Sequence, residues 1–212
     1  KINESLLETD FASGSGHKEF SEAAIEFMDD DFDSYQEDFD TAFSKVNREQ
    51  HEKFMDASPY IYQWESQQLM DVIFNENNLL SLREYDYEYS GGAHGNYSYA
   101  NMVFNLKTGE QLQLSDLFKT GFKLQLDNLA QLQLLNKYKA GSLQQLNEKG
   151  FLLQNGFSAS DNFFIQENGI GFTYNPYEIA SYANGVIEVV IPWSQLQQLI
   201  RPDGPLAWAL MK

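Results

Sequence analysis

The chain contains no cysteine in its 212 residues, which excludes disulfides, thiolate metal sites and a cysteine nucleophile. Cations are scarce as well: 14 Lys and Arg stand against 31 Asp and Glu, a formal charge of −17. Nucleic-acid backbones are held chiefly by Lys and Arg, so nucleic acid is not expected as a partner. The same charge attracts cations and basic proteins, an attraction that salt screens over roughly 8 Å. No run approaches the ~20 apolar residues that cross a bilayer. The chain opens on Lys1, with neither Met nor a signal-like apolar segment, and reads as a mature or trimmed piece from which any export signal has been removed.

Apolar residues make up 42% of the chain, with 16 Phe and 12 Tyr, so the acid surface must cover a packed core and disorder is rejected. From Phe20 to Val46 the apolar residues recur at spacings of three and four, predicting one long amphipathic helix with an acidic outer face. Extended patterns follow Pro59, turn at residues 75–78 and run on from Leu79 to Ser90. There Tyr85, Tyr87 and Tyr89 share one face, because side chains alternate along a strand. A loop at residues 91–96 leads to a returning strand at 97–106. Helical spacing returns at 122–138, and a short helix is expected at 143–148. Residues 162–166 and 170–175 flank Glu167-Asn168-Gly169, a hairpin signal in which Gly169 would supply positive φ. A strand at 186–191 and a helix at 194–200 complete the pattern. Helices and strands grouped in runs predict an α+β fold, antiparallel sheets with long amphipathic helices packed on one face.

Three motifs invite a chemical reading. Asp29, Asp31 and Asp33 imitate the start of a calcium loop, but Ser34 stands where glycine is needed, Asp40 where a longer Glu is needed, and the helical stripe runs straight through. His94, within Gly91-Gly92-Ala93-His94-Gly95-Asn96, could serve as a general base, yet neither His17 nor His51 has zinc-motif spacing to it. Gly14-Ser15-Gly16 is only part of a nucleophile elbow, and the glycines of the 91–95 loop lack the Lys and Ser/Thr of a phosphate loop. No cofactor is expected. The third motif is the tyrosine set Tyr85, Tyr87, Tyr89, Tyr97 and Tyr99, which pairing across the loop would bring to one face as rigid apolar area with hydrogen-bonding ends. Packing beneath the long helix is the competing reading of the same rings.

Ordered motifs then make a resemblance. Tyr87-Glu88-Tyr89-Ser90-Gly91-Gly92-Ala93-His94-Gly95-Asn96, Asn105-Leu106-Lys107-Thr108-Gly109 and Leu114-Ser115-Asp116-Leu117-Phe118 resemble successive signatures of the domain-of-unknown-function family 3298. Asn162-Phe163-Phe164-Ile165, Gly169-Ile170-Gly171-Phe172, Asn175-Pro176-Tyr177-Glu178-Ile179-Ala180, Tyr182-Ala183-Asn184-Gly185 and Val189-Val190-Ile191-Pro192 continue it in order. The preceding part resembles the companion family 4163, without the first strand expected before Ile2-Asn3. Two domains are expected, at 1–84 and 85–212.

The resemblance implies an extracytoplasmic envelope protein, in the periplasm or at the cell surface, anchored through a lipidated Cys upstream of Lys1. It transfers no catalytic residue. The expected function is a non-catalytic binding module that recognises a basic protein of the lysozyme kind, or a cell-wall glycan, through Tyr87, Tyr89, Gly91, Gly92, His94, Asn96, Tyr97, Tyr99, Tyr177, Glu178 and Tyr182. The alternatives are an envelope hydrolase pairing His94 with Glu178 or Asp86, and a structural accessory domain of a lipoprotein.

Overall fold

A computed structural model describes residues 64–211 together with Asp33 and Glu37. Its contacts divide the chain into two units, Lys1–Gln67 with Asp86–Asn96, and Gln68–Tyr85 with Tyr97–Lys212. The expected helix at 20–46 lies outside the described residues except for Asp33 and Glu37, which are helical and exposed. His17, His51 and the start of the N-terminal sheet also lie outside them.

Four strands stand in chain order in one sheet: β1 (Glu65–Glu76), β2 (Leu79–Tyr89), β3 (Asn96–Asn105) and the two-residue β4 (Glu110–Gln111). The turn from β1 to β2 is two residues long, Asn77 and Asn78, both at positive φ (55° and 60°). Two successive left-handed residues give a turn whose twist matches the strands, and asparagine tolerates that conformation better than most residues. The polar run therefore turns at its end, and β1 continues through Asn75 and Glu76.

The larger unit holds most of the described core. Its helices are α1 (Leu114–Leu117), α2 (Lys123–Lys137), α3 (Leu143–Asn147) and α4 (Trp193–Leu196). Leu126, Ala130 and Leu134 of α2 recur every four residues and are fully buried, forming the stripe that packs against β7. A second antiparallel sheet, β5 (Phe163–Gln166), β6 (Gly169–Tyr174) and β7 (Ile187–Pro192), supplies the centre of this core. Every residue of β6 is buried. Trp193 closes its turn end by donating Nε1–H to the Glu167 carbonyl at 3.0 Å.

The expectation of long helices on one face is corrected. Among the described residues only α2 exceeds six residues, and α4 stops after four. Leu199 and Ile200 N–H still donate to the Leu196 carbonyl (2.9 and 3.1 Å), and Ile200 forms an antiparallel bridge with Phe118 at the point where the turn ends. Gly169 is corrected too: its φ is not positive, and the glycine is required because a Cβ there would fall 2.2 Å from the Ile191 carbonyl oxygen of β7.

Candidate functional site

The tip of the tyrosine hairpin, residues 86–96, groups with the N-terminal unit. Gly91 and Gly92 take φ of 103° and 102°, open only to glycine, and the Tyr89 hydroxyl donates to the Gly92 carbonyl at 3.2 Å. Gly95 serves differently. A Cβ there would lie 2.5 Å from the Tyr87 ring, so the missing side chain is the seat of that ring. His94 is exposed, its Nδ1 3.0 Å from the Gly95 carbonyl oxygen, and Asn96 is exposed at the start of β3.

A second group of tyrosines lies wholly in the larger unit. Tyr85 stands 5.1 Å from Tyr99 and 6.4 Å from Tyr97 between ring centroids. Tyr97 meets the edge of Tyr182 at 5.6 Å, and Tyr182 lies 5.9 Å from Tyr177. Five rings thus form one continuous series within the distances at which aromatic pairs attract. The Tyr182 phenol is held above the ordinary tyrosine range, first by loss of hydration and then by the neighbouring phenols of Tyr97 and Tyr177.

Tyr177 ends the series. It is 59% exposed and its φ is +72°, a left-handed conformation that a bulky side chain adopts at a cost. The surrounding turn enforces it: Tyr177 N–H donates to the Ala180 carbonyl (2.9 Å), Glu178 N–H to the Asn175 carbonyl (3.1 Å), and the Glu178 carboxylate accepts from Asn175 N–H (3.0 Å). Tyr182 opens a short 3-10 turn, Tyr182–Asn184, that ends at Gly185 with φ 67°. A Cβ at Gly185 would stand 3.4 Å from the Tyr97 hydroxyl.

Polar side chains hold the inner end. Arg83 on β2 lies within cation–π distance of the Phe164 ring (4.6 Å) and the Tyr99 ring (5.5 Å), pairs with Glu188, and donates Nε–H to Asn101 at 2.9 Å. Phe164 in turn lies across Gly171, where a Cβ would fall 2.1 Å from the ring. Beyond β4 the backbone edge of β3 is served by amides. Tyr99 N–H donates to Asn175 Oδ1 (2.8 Å), the Tyr99 carbonyl accepts from Asn162 Nδ2 (2.7 Å) and Asn175 Nδ2 (3.1 Å), and Asn101 N–H donates to Asn162 Oδ1 (2.8 Å). Each asparagine presents the donor and acceptor that a neighbouring strand would have offered.

The structure therefore gathers Tyr97, Tyr99, Tyr177 and Tyr182 with Tyr85, and sets Glu178 in the turn that carries Tyr177. Tyr87, Tyr89, Gly91, Gly92, His94 and Asn96 belong to the other unit. Among the described residues no three His, Asp or Glu side chains gather as a metal site. Sequence reasoning missed Arg83, Asn101, Asn162 and Asn175. The asparagines at the two open ends of the β5–β6 hairpin were a signal, since each is a short amide placed where a strand begins or ends.

Residues 115–194 match the family model described as "Protein of unknown function (DUF3298)", and residues 10–97 match the model described as "Deacetylase PdaC". The hairpin tip, including the glycine loop, falls inside the 10–97 match and outside the 115–194 match, and the division by contacts likewise groups it with the N-terminal unit. No curated protein shows a significant match. Among solved structures, a member of the DUF3298 family from Bacteroides fragilis is 23% identical with a TM-score of 0.83, over 98% of this chain and 80% of that one. A DUF3298 family protein from Pseudomonas aeruginosa is 20% identical with a TM-score of 0.57, over 66% of this chain and 63% of that one. At these identities the likeness is one of fold.

Proposed function

We propose that this chain is a non-catalytic binding module of the bacterial cell envelope, and that it holds its ligand on the surface formed by Tyr85, Tyr97, Tyr99, Tyr177 and Tyr182. The DUF3298 region preceded by a PdaC-type region supports association with the envelope. The extracytoplasmic location, with a lipid anchor upstream, is part of the same proposal. The observation that carries it is the series of five rings ending in a strained, exposed tyrosine. Strain at an exposed aromatic residue contributes nothing to the core, and such strain concentrates where ligands are held.

The charge of −17 makes a basic protein of the lysozyme kind a suitable ligand, and the rings equally suit a cell-wall glycan. The test measures retention of the chain by immobilised lysozyme and by purified cell-wall sacculi, with and without the double change Tyr177→Ala and Tyr182→Ala. Retention on at least one support, weakened about tenfold by the double change, is expected. Failure of the unaltered chain to bind either support would sink the proposal.

A further inference from the structure

The two borders of the first sheet differ. At one, the amides of Asn162 and Asn175 occupy the edge of β3 beyond β4. At the other stands β1, and among the described residues no strand pairs with its outer side. Its backbone register follows from the turn. Asn78 gives its carbonyl to Leu106 N–H on the β3 side at 2.8 Å, so Leu79 directs its own groups toward β1, where the two-residue turn pairs it with Glu76. Alternation then points the N–H and C=O groups of Leu69, Asp71, Ile73 and Asn75 away from β2.

Side chains mark the same stretch. Leu69 is 50% exposed, Met70 40% and Val72 63%, while Phe74 is buried and its ring stacks on Trp208, 5.8 Å between centroids. Leu69 and Asp71 project from one face of the sheet, Met70 and Val72 from the other. A helix laid on a sheet covers one face only, whereas an added strand flanks both faces of a border. Proteins commonly guard such a border with lysine or proline, yet residues 60–82 contain neither, nor any arginine. Their charged residues are three acids, Glu65, Asp71 and Glu76. We infer that the outer border of β1 receives an extended segment of a basic partner protein as an added strand, with apolar side chains beside Met70 and Val72 and a cation beside Asp71. A second copy of this chain fits less well, since it brings another formal charge of −17 to meet the first. The inference does not depend on the tyrosine surface.

The probe is a labelled synthetic peptide of alternating Lys and Val, titrated into the full chain and followed by fluorescence anisotropy at low and high salt. Saturable binding is expected, weakening as salt rises. Asp71→Asn removes the charge and keeps the N–H, and should weaken binding about threefold. Asp71→Pro removes the outward N–H as well, at a border position where proline leaves the bonds to β2 in place, and should weaken binding by more than about tenfold. Amide exchange supplies a readout that needs no variant: the peptide should slow exchange at Leu69, Asp71, Ile73 and Asn75 and leave Met70 and Val72 as they were. An unchanged thermal transition establishes that each variant is folded; if Asp71→Pro does not fold, the exchange pattern decides alone. Absence of saturable binding, equal loss in Asp71→Asn and Asp71→Pro, or exchange slowed equally at Met70 and Val72 overturns the inference. So does loss of peptide binding in the double change Tyr177→Ala and Tyr182→Ala, which moves the peptide to the tyrosine surface and leaves the binding-module reading standing. A dimer of the chain alone that Asp71→Pro dissociates overturns it in favour of a second copy.

Discussion

The β5–β6 hairpin is held at its two ends by opposite means. At the closed end, atoms are left out: Gly169 lets the Ile191 carbonyl approach, and Gly171 further along β6 lets the Phe164 ring lie across the strand. At the open end, polar groups are added, with Asn162 and Asn175 bonding the β3 edge and Tyr174 donating its hydroxyl to the Ser158 carbonyl at 2.8 Å. The closed end tolerates little change at its two glycines. The open end is a framework of replaceable hydrogen bonds that carries an exposed ring. A binding surface built on the second kind of end can vary in its ligand contacts while the first kind keeps the fold.

That contrast can be broken, beginning with its largest expected effect. Gly169→Ala should cost about 3 kcal/mol in urea unfolding, because the new methyl meets a backbone oxygen that cannot swing away. A cost near zero would remove the closed end's distinction. Asn162→Ala should cost about 2 kcal/mol, since the Tyr99 carbonyl and Asn101 N–H each lose a partner while staying partly buried. Loss of cooperative unfolding in that variant would move the asparagine from the framework into the core.

The pH dependence concerns Tyr174, whose phenol burial holds well above the ordinary tyrosine range. Its folded pKa exceeds its unfolded one, so the folded state keeps the proton that the unfolded state releases. Stability is then fully present below about pH 10 and falls above it by about 1.4 kcal/mol per pH unit. Unfolding curves at successive alkaline pH values check the slope, which Tyr174→Phe should reduce, leaving the smaller contributions of Tyr138 and Tyr182. The smallest effect has the opposite sign. Tyr177→Gly should raise stability by about 1 kcal/mol through relief of the left-handed strain, and should weaken ligand binding at the same time. A variant that loses stability would show that Tyr177 is a packing residue.

Much of this could be read in the sequence wherever the deciding contacts were local. Spacing predicted the helix at 122–138, found as Lys123–Lys137, and the turn residues placed the β5–β6 hairpin. Alternation brought Tyr85, Tyr97 and Tyr99 together, because a strand dictates its own faces. What escaped depends on residues far apart in the chain. Arg83 reads as an ordinary surface cation until Phe164 and Glu188 arrive beside it. Asn162 and Asn175 read as turn residues, since nothing in their neighbours reveals which strand edge they will meet. The helix expected at 194–200 ended early where a distant residue intervenes: its apolar spacing was sound, and Ile200 meets a bridge from Phe118 at the point where the turn ends.

The two asparagines have a consequence for life in a crowded compartment. An interrupted sheet border invites the extended segments of other chains to dock and grow, yet here β4 stops after two residues and amide groups occupy the places beyond it. Each interloper would first have to displace bonds that the chain supplies to itself. Protection of that border thus resides in two small side chains, whose conversion to acids would withdraw the donating half of each seal.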